Sequence, residues 1–441
     1  MKAVFVTAGA AGMYCGSCMH DNALARALRD RGVDCLLQPV YTPIRADGES
    51  VATDQVFFGG IHVYMLQQWP WLRHLPKPFW RIIDWPPLIR WATSHASSTD
   101  AAKLGDLAVS MLQGSHGRQA DEVARLVDWL AKDIQPDAIV FSNLLIAGAL
   151  PDIRAALPAA KLVVMLQGDD IFLDYLPEES RAKAVGLCSG LIKHVDHLVV
   201  NSRFYGEKMG GLLNVPPEKI VVTPLSIDTA PFREPHNEVL ADRNEVLADK
   251  NEFRLGYLAR VAPEKGLHHL VDAFIRLAAT PGNDDLSLHV AGWLGEPNRG
   301  YLESLQNRIR EAGLAERFTY HGSPELAEKI QWLMTLDLLS VPTDYEDPKG
   351  LFILEALAAG VPVIQPDHGA FGELIASTGG GRMFRPGDTE ALCTAIQHLK
   401  DDAETRHSLA AEGKANVHQK HSIEMAAERL QALMFSPKES S

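Results

Sequence analysis

The fold is constrained first by residues 344–364, which read DYEDPKGLFILEALAAGVPVI. The stretch predicts an acidic loop, then a short apolar helix, then a strand apolar enough to be buried in a parallel sheet. Pro348 suits the first turn of the helix, where a missing N–H costs nothing. Gly360 suits the left-handed position that ends a helix, and Pro362 follows where the helix can no longer continue. A helix joined in this way to a buried strand is the repeating unit of an α/β domain.

The start of this helix predicts a phosphate site. The backbone N–H groups of Gly350, Leu351 and Phe352 would be free there, and Gly350 has no side chain that could block a ligand. A helix N-terminus favours an anion, and phosphate above all. Glu355 lies further along the same helix, where its carboxylate would reach a hydroxyl group beside that phosphate. An anion site with a carboxylate on each side, Asp347 and Glu355, predicts a nucleotide-sugar site.

The same stretch resembles the acid-x7-acid signature of the retaining family 4 glycosyltransferases, with Asp347 and Glu355 eight positions apart around a Gly-Leu pair. The family has Glu at the first acidic position, so Asp347 departs from its pattern. The resemblance implies that Glu355 binds the ribose of the donor and that Asp347 binds its sugar. The residues alone leave two alternatives open. Asp347 could be a helix N-cap before Pro348, and Glu355 could be an exposed charge on the helix.

Length and composition predict the number of domains and exclude some partners. The 441 residues are too many for one core and predict two domains. A formal net charge of −14 argues against a nucleic-acid binder, because a phosphate backbone requires a cationic surface. No apolar run approaches a membrane span, and the N-terminus leads into a predicted strand without a signal peptide. The five cysteines are scattered and odd in number, which predicts a reducing compartment and a cytoplasmic protein.

The N-terminal residues predict a strand, a glycine-rich loop and a helix. Residues 2–8, KAVFVTA, predict a buried parallel strand, and residues 20–31 predict the helix. The glycine spacing is not G-x-G-x-x-G. In the two-domain GT-B glycosyltransferases this loop touches donor or acceptor, so the resemblance implies a donor-binding role for Gly12 and Gly16. A tight turn that requires positive φ is the alternative role of both glycines.

A C-x-x-C pattern, Cys15 to Cys18, lies in the same loop. Such a pair at a helix start can indicate redox chemistry or half of a zinc site. The sequence contains no second pair that would complete a four-thiolate site. We therefore interpret the two cysteines as small residues packed in a tight loop.

Residues 69–91 form an unusual segment. Five of the eight tryptophans of the chain fall in it, interleaved with basic residues and prolines. Tryptophan with Lys or Arg on a short apolar element is typical of an interfacial membrane segment. The alternatives are peripheral membrane contact, an acceptor-binding lid, or a subdomain that packs its tryptophans on the N-terminal domain. The prolines argue against one continuous amphipathic helix.

A turn after the predicted strand at 161–167 also resembles the family. It matches the His-Gly-x-Asp turn whose His faces the donor sugar, but the aligned residue here is Gln167. Gln can donate and accept hydrogen bonds to sugar hydroxyls but cannot take up a proton. Asp169 and Asp170 follow, and we expect two adjacent carboxylates on a turn to be solvated. Because GT-B enzymes seldom need a metal for catalysis, we predict neither a metal site nor a cofactor.

Basic residues mark the start of the C-terminal domain. Arg260 ends a predicted strand and Lys265 precedes the next helix, so both would project together. Arg can clamp phosphate with two nitrogens, and Lys adds a point charge. The pair is similar to the family's Arg-x4-Lys-Gly element, which holds the donor diphosphate and stabilises its departure; taken alone, two such residues are usually surface charges. His321 lies where family members contact the nucleotide base, largely through backbone atoms.

The resemblance covers nearly the whole chain and implies a GT-B fold, α/β, with two Rossmann-like doubly wound domains that face a cleft. We place an N-terminal acceptor-side domain at residues 1–228 and a C-terminal nucleotide-sugar-binding domain at 253–420. Residues 229–252 contain a tandem charged repeat, NEVLADR and NEVLADK, and are predicted to be a linker. A terminal helix within 421–441 is expected to cross back to the N-terminal domain.

These features predict a hexosyltransferase-like enzyme that moves a sugar from a nucleotide-diphosphate sugar to an acceptor hydroxyl with retention of anomeric configuration. The predicted catalytic residues are Arg260, Lys265 and Asp347. The predicted donor-binding residues are Gly12, Gly16, Gln167, His321, Gly350, Leu351, Phe352 and Glu355. The acceptor stays open between a lipid-linked molecule, a glycan and a small molecule, and the location is cytoplasmic or peripheral on the membrane.

Two other functions remain open on the same fold. A nucleotide-sugar epimerase would share the phosphate and ribose contacts but would need acid–base groups that we do not identify. A non-catalytic nucleotide-sugar-binding or membrane-scaffold protein is the second alternative. The departures from the family pattern at Asp347 and Gln167 favour it.

Overall fold

The computed structural model describes residues 1–9, 16–41, 50–53, 57, 101–233 and 252–436. The chain divides into two compact units. The first consists of Met1–Pro224 together with Ile423–Ser441, and the second is Leu225–Ser422. Among the described residues, no helix combines the length and the apolar character that crossing a membrane requires.

The first unit is built on a parallel sheet. Its described strands are β1 (Lys2–Thr7), β2 (Asp34–Pro39), β3 (Ala138–Phe141), β4 (Lys161–Met165), β5 (His197–Val200) and β6 (Ile220–Val222). Their order in the sheet is β2-β1-β3-β4-β5-β6, with every pair parallel. The described helices before the second unit are α1 (Gly16–Asp30), α2 (Ala101–Leu112), α3 (Ala120–Asp128), α4 (Leu150–Ala156), α5 (Asp169–Asp174), α6 (Glu178–Leu191) and α7 (Arg203–Leu213).

Strand β1 shows why helices cover both faces of this sheet. Successive side chains of a strand point to opposite faces, so an apolar run without alternation buries both of them. Val4 and Val6 pack in one apolar core, whereas Ala3 and Phe5 pack in another. The second core also contains Leu24 of α1 and residues of the C-terminal helix, Ile423–Phe435.

The second unit repeats the architecture with a different strand order. Its strands are β7 (Phe253–Leu258), β8 (Leu286–Ala291), β9 (Phe318–Tyr320), β10 (Leu338–Leu339), β11 (Val363–Pro366) and β12 (Gly381–Phe384). The described helices are α8 (Leu267–Ala278), α9 (Arg299–Glu311), α10 (Leu326–Met334), α11 (Leu351–Ala359), α12 (Phe371–Thr378), α13 (Thr389–Asp401) and α14 (Ala403–Lys420). The C-terminal helix, α15, follows and belongs to the first unit.

The strand order identifies where each sheet would bind a ligand. In the second unit the order is β12-β11-β10-β7-β8-β9, so β7 and β10 are neighbours although they are not consecutive in the chain. In the first unit β1 and β3 have the corresponding relationship. The carboxyl ends of strands at such a switch point are the usual ligand site of an open α/β sheet.

The strand and helix predicted around Arg260 and Lys265, and the helix and strand predicted within residues 344–364, occur as β7, α8, α11 and β11, with two differences. Pro348 does not lie in the first turn of a helix, because α11 begins at Leu351 and its N-cap is Gly350. Helix α14 has no counterpart among the predicted elements. Its polar and apolar residues show little helical periodicity, and it is held by a few buried residues such as Leu409 and Val417.

Candidate functional site

The switch point of the second unit brings Lys265 and Asp347 together. Lys265 ends a short 3-10 turn, Pro263–Lys265, that follows β7, and Asp347 lies in the loop that follows β10. The Nζ atom of Lys265 is 2.8 Å from Oδ2 of Asp347. Their side chains are only 16% and 8% exposed, respectively. Two of the three predicted catalytic residues therefore form a largely buried ion pair at the edge of the sheet where an open α/β sheet binds its ligands.

Tyr345 completes this pair and was missed by the sequence analysis. Its hydroxyl donates a hydrogen bond of 2.8 Å to Oδ2 of Asp347 and accepts one from Nζ of Lys265. The Lys265 ammonium also lies 4.8 Å from the centroid of the Tyr345 ring. Burial, and after it the charge of Asp347, raises the pKa of Tyr345 far above its usual range. The hydroxyl therefore stays protonated and can donate a hydrogen bond to the carboxylate.

Asp347 is held in its ionised form. Burial by itself raises the pKa of the carboxyl, but the Lys265 ammonium and three hydrogen bonds outweigh burial and lower it. Oδ2 accepts the hydrogen bonds from Lys265 and Tyr345, and Oδ1 accepts a hydrogen bond of 2.9 Å from the backbone N–H of Lys349. The alternative of an N-cap at Asp347 is wrong, because Gly350 occupies that position. Asp347 instead fixes the loop that leads into α11.

The N-terminus of α11 has the properties predicted for an anion site. Gly350 adopts a left-handed conformation, φ 79°, which only glycine adopts without strain. Within the described part of the chain, the backbone N–H groups of Gly350, Leu351 and Phe352 have no hydrogen-bond acceptor. Side chains of α11 such as Ile353 and Leu354 are fully buried, so the helix cannot shift to satisfy these groups. Three unsatisfied donors therefore lie at one positive helix end.

Glu355 carries an ion pair that the sequence analysis also missed. Its Oε1 atom is 2.8 Å from Nζ of Lys329 on α10, and the two side chains are 21% and 12% exposed. The alternative interpretation of Glu355 as an exposed helix charge is therefore wrong. Oε2 has no hydrogen-bond partner among the residues that the structure describes. One carboxylate oxygen is thus held by Lys329, and the other can accept a hydrogen bond from a ligand.

Arg260 lies two residues after β7 and differs from Lys265 in its surroundings. Its guanidinium forms an ion pair with Glu264 in the same turn, and its side chain is 48% exposed. The backbone of this turn contacts the fully buried Tyr257, whose single hydroxyl hydrogen is shared between the carbonyl oxygens of Arg260 at 3.4 Å and Lys265 at 3.3 Å. The structure therefore fixes the turn and leaves the Arg260 side chain accessible.

His321 follows β9 and pairs with a second histidine. Its backbone N–H donates to the carbonyl of Val290 at 2.8 Å. Its ring stacks on His289, with Nε2 3.1 Å from Nδ1 of His289. Burial, followed by the charge of Arg254, lowers the pKa of His321 and lowers that of His289 to about 4. Both rings are therefore neutral at pH 7.

In the first unit, Gln167 is oriented by a buried carboxylate that was not predicted. Its amide nitrogen donates to Oδ1 of Asp21 at 3.0 Å and to the carbonyl of Ser142 at 3.0 Å. Asp21 is fully buried, and its other oxygen accepts a hydrogen bond from Thr7. Thr7 and Ser142 lie at the carboxyl ends of β1 and β3, which is the switch point of this sheet.

Asp169 and Asp170 are buried, so the expectation that they are solvated is wrong. Asp169 accepts hydrogen bonds from the backbone N–H groups of Leu144 and Gln167, and Asp170 accepts one from Tyr205. Burial raises the pKa of Asp169 to about 6, although these backbone groups lower it. The two carboxylates are internal supports of the turn that carries Gln167.

The remaining predicted residues of this unit lie around the start of α1. Gly16 is its first residue. Cys18 is buried with its sulfur 3.9 Å from the Thr7 hydroxyl, which agrees with a packing role. Gly12, Cys15 and the tryptophan-rich segment at 69–91 lie outside the described residues.

Comparison with known sequences relates the chain to sugar-transferring enzymes. Residues 239–416 match the family described as glycosyl transferases group 1. Over 261 residues the chain is 31% identical to the lipopolysaccharide core biosynthesis mannosyltransferase LpsB of Rhizobium meliloti, covering 58% of this chain and 70% of that protein. It is also 30% identical to a D-inositol 3-phosphate glycosyltransferase of Stackebrandtia nassauensis, spanning half of each chain.

Solved structures of similar proteins cover both units. HepE of Anabaena in complex with UDP matches with a TM-score of 0.68 at 18% identity, over 99% of this chain and 100% of that one. A sucrose-phosphate synthase from Thermosynechococcus elongatus matches with a TM-score of 0.70 at 16% identity, over 98% of each chain. With the two parallel sheets, these similarities confirm the expected α/β fold of the GT-B class with two Rossmann-like domains.

Proposed function

The chain belongs to the group 1 glycosyltransferases, and we propose that it transfers a sugar from a nucleotide-diphosphate sugar to an acceptor hydroxyl with retention of anomeric configuration. The observation that carries the proposal is that the Lys265–Asp347 pair and the unsatisfied N–H groups of α11 follow the neighbouring strands β7 and β10 at one switch point. A cation and a positive helix end at one switch point form a site for a diphosphate.

The reaction requires stabilisation of the leaving diphosphate. The bond between the anomeric carbon and the diphosphate oxygen breaks, and the electron pair goes to that oxygen. The acceptor oxygen bonds to the same face of the anomeric carbon, and its proton passes to the departing phosphate. No side chain acts as a nucleophile in this scheme. Preorganised donors that meet the developing charge supply most of the rate enhancement.

Lys265 is the residue best placed to meet this charge. Its ammonium has three hydrogens. Among the described residues two of them contact Asp347 and Tyr345, which leaves the third for a phosphate oxygen. Asp347 and Tyr345 hold the ammonium in position before the donor binds, so little reorganisation is needed during the reaction. Asp347 thus acts through Lys265, in addition to the sugar contact that the family resemblance implies.

The other predicted residues take complementary parts in this proposal. Oε2 of Glu355 accepts a hydrogen bond from the ribose, and the backbone at His321 contacts the base. Arg260, whose side chain is accessible, binds the diphosphate as a second cation. For Gln167, Gly12 and Gly16 we keep the donor-binding roles that the family resemblance implies.

The proposal also includes expectations for the metal requirement, the location and the acceptor. We expect turnover without a metal ion, because Lys265, Arg260 and the α11 terminus provide positive charge at the diphosphate. A cytoplasmic location, peripheral membrane contact through residues 69–91, and a lipid-linked or glycan acceptor are predictions from the sequence. The acceptor itself is to be identified by experiment.

The first test is calorimetric titration of the full chain with UDP, GDP and ADP, with and without magnesium. We expect one nucleotide to bind preferentially and the Lys265→Ala variant to bind it at least tenfold more weakly. Lys183→Ala is the matched control, because Lys183 is an exposed lysine of the first unit whose ion pair lies on α6. Acceptor-dependent release of the nucleotide from donor, measured with acceptors from an extract of the source cell, then tests transfer itself. Nucleotide binding without such release would support a non-catalytic sensor and contradict the proposal.

A further inference from the structure

Two histidines and a carboxylate converge beside the candidate donor site. His268 and His269 lie in the first turn of α8, and Asp344 lies in the loop after β10. One ligand atom from each of the three side chains lies within 4.8 Å of the others. Nε2 of His269 is 2.6 Å from Oδ1 of Asp344, and Nε2 of His268 is 3.7 Å from Oδ2. Both imidazoles thus direct the same ring nitrogen at a different oxygen of one carboxylate.

The opposite side of the His268 ring is held in place. Its Nδ1 atom is 2.9 Å from the hydroxyl of Tyr301 on α9, and the same hydroxyl accepts a hydrogen bond from the backbone N–H of His268. The rings of His268 and His269 lie with their centroids 4.0 Å apart. A hydrogen bond at one ring nitrogen that fixes the orientation of the other is the usual support of a metal-binding histidine.

The ligand set selects the class of metal. Two imidazoles and a carboxylate suit Zn²⁺ and related transition metals, whereas Mg²⁺ prefers oxygen ligands alone. Ligands about 2.0–2.2 Å from a tetrahedral Zn²⁺ lie about 3.3 Å apart, so the present arrangement needs shifts of under about 1 Å. Both histidines are half-buried and Asp344 is exposed, which leaves solvent access for the ion and for a water ligand.

We propose that His268, His269 and Asp344 bind one Zn²⁺ ion or a similar transition-metal ion, with water completing the coordination. The site is distinct from the Lys265–Asp347 pair. In the chain, His268 comes three residues after Lys265, and Asp344 comes three residues before Asp347. Zn²⁺ would join the first turn of α8 to the loop that carries Tyr345 and Asp347. The role of the ion here is to stabilise this loop, so the proposal departs from the sequence prediction of no metal site but not from the expectation of turnover without a metal. The inference does not rest on the proposed transfer reaction.

The direct test is calorimetric titration of the metal-free full chain with ZnCl2. We expect one equivalent to bind to the wild type and binding to weaken at least tenfold in His269→Ala and in Asp344→Asn. Tyr301→Phe keeps all three ligands and removes only the supporting hydroxyl, so we expect a loss of roughly tenfold. His407→Ala is the matched control, because His407 is an exposed histidine of α14 outside the cluster.

Two further measurements keep the proposal testable if a variant folds poorly. Co²⁺ in place of Zn²⁺ should give the visible absorption bands of a tetrahedral nitrogen and oxygen site, with the wild type and not with Asp344→Asn. Zn²⁺ should also raise the melting temperature of the wild type and of His407→Ala, because an ion that binds only the folded state stabilises it. Absence of saturable Zn²⁺ binding by the wild type would overturn the proposal, as would equal affinity of wild type, His269→Ala and Asp344→Asn.

Discussion

Lys265 and Asp347 lie 82 positions apart in the sequence, yet their charged atoms are separated by 2.8 Å in a site that admits little solvent. Burial alone would raise the pKa of the Asp347 carboxyl, and Lys265 is the main reason that this carboxyl carries its charge there. When one partner of such a pair is removed, the remaining charge is left without compensation.

Each single substitution of this pair leaves one buried charge unpaired, whereas the double substitution leaves none. The stability losses of the two single variants should therefore add up to more than the loss of the double variant. We expect Lys265→Met and Asp347→Asn each to lower the free energy of unfolding by about 3 kcal/mol. The double variant should lose clearly less than the sum of the two, since neither charge is then left alone. Urea denaturation of the four proteins measures the coupling. Additive losses would show that the pair is not coupled.

Tyr345→Phe tests the hydroxyl that joins the pair. Because this hydroxyl donates to Asp347 and contacts Lys265, we expect a loss of about 1 kcal/mol in stability. The hydrogen bond from Tyr345 also lowers the pKa of Asp347, so its removal should raise that pKa. The acid limb of the pH–activity profile would then move to higher pH. An unchanged acid limb together with unchanged stability would contradict this role of Tyr345.

The low pKa of His289 predicts that the protein loses stability in mild acid. Burial, with Arg254 next in importance, lowers its pKa from 6.5 to about 4 in the folded protein, so the unfolded chain binds a proton more readily between these values. The free energy of unfolding should therefore fall as the pH falls from 6.5 to 4. One pKa unit corresponds to about 1.4 kcal/mol, which makes this contribution about 3 kcal/mol. Above pH 6.5, His289 makes this contribution to the free energy of unfolding in full.

The measurement is urea denaturation of wild type and His289→Gln across this pH range. Gln retains hydrogen-bonding groups but does not titrate, so the variant should lose distinctly less stability on acidification. Parallel pH profiles for the two proteins would assign the acid sensitivity to other groups.

Glu355→Gln should separate ribose binding from phosphate binding. If Oε2 accepts a hydrogen bond from the ribose, the variant should bind the preferred nucleoside diphosphate about tenfold more weakly, because bonds to charged acceptors are the stronger ones. Its affinity for inorganic pyrophosphate should not change. Calorimetry with both ligands provides the comparison, and an equal loss for the two would contradict the ribose assignment.

Gly350→Ala tests the helix end as an anion site. An added Cβ would meet side-chain atoms of Ile353 and Phe371 at 3.0 Å, and the φ of 79° would be strained. We expect a stability loss of about 1–2 kcal/mol and at least tenfold weaker nucleotide binding. Gly387→Ala is the matched control, because Gly387 has a φ of 71° but no atom within 4 Å of the added Cβ. It should lose stability and retain nucleotide affinity; comparable binding losses in both variants would point to backbone strain alone.

The amino-acid sequence by itself determined the α/β fold and the helix and strand within residues 344–364, and it pointed to Lys265, Asp347, Gly350 and Glu355 as candidate residues. These depend on local signals: apolar runs, helix ends, and the short spacing between residues of one loop and one helix. The prediction that Pro348 lies in the first helical turn rests on the same local signals and is wrong. A proline at the start of an apolar run favours the first helical turn, but here the Asp347 carboxylate accepts from the backbone N–H of Lys349 across Pro348, and α11 begins only at Leu351.

Only the tertiary structure decided which partners these residues have. Tyr345, Lys329 and Asp21 carry no motif, and the last two reach Glu355 and Gln167 across 26 and 146 positions of the chain. The expected solvation of Asp169 and Asp170 is likewise wrong, because both carboxylates are buried and the backbone N–H of Leu144, from another loop, donates to the first of them. Local spacing predicts which helix, strand or loop carries a side chain. Strand order brings distant loops to one edge of a sheet, and so determines the charges, the burial and the hydrogen bonds around each side chain.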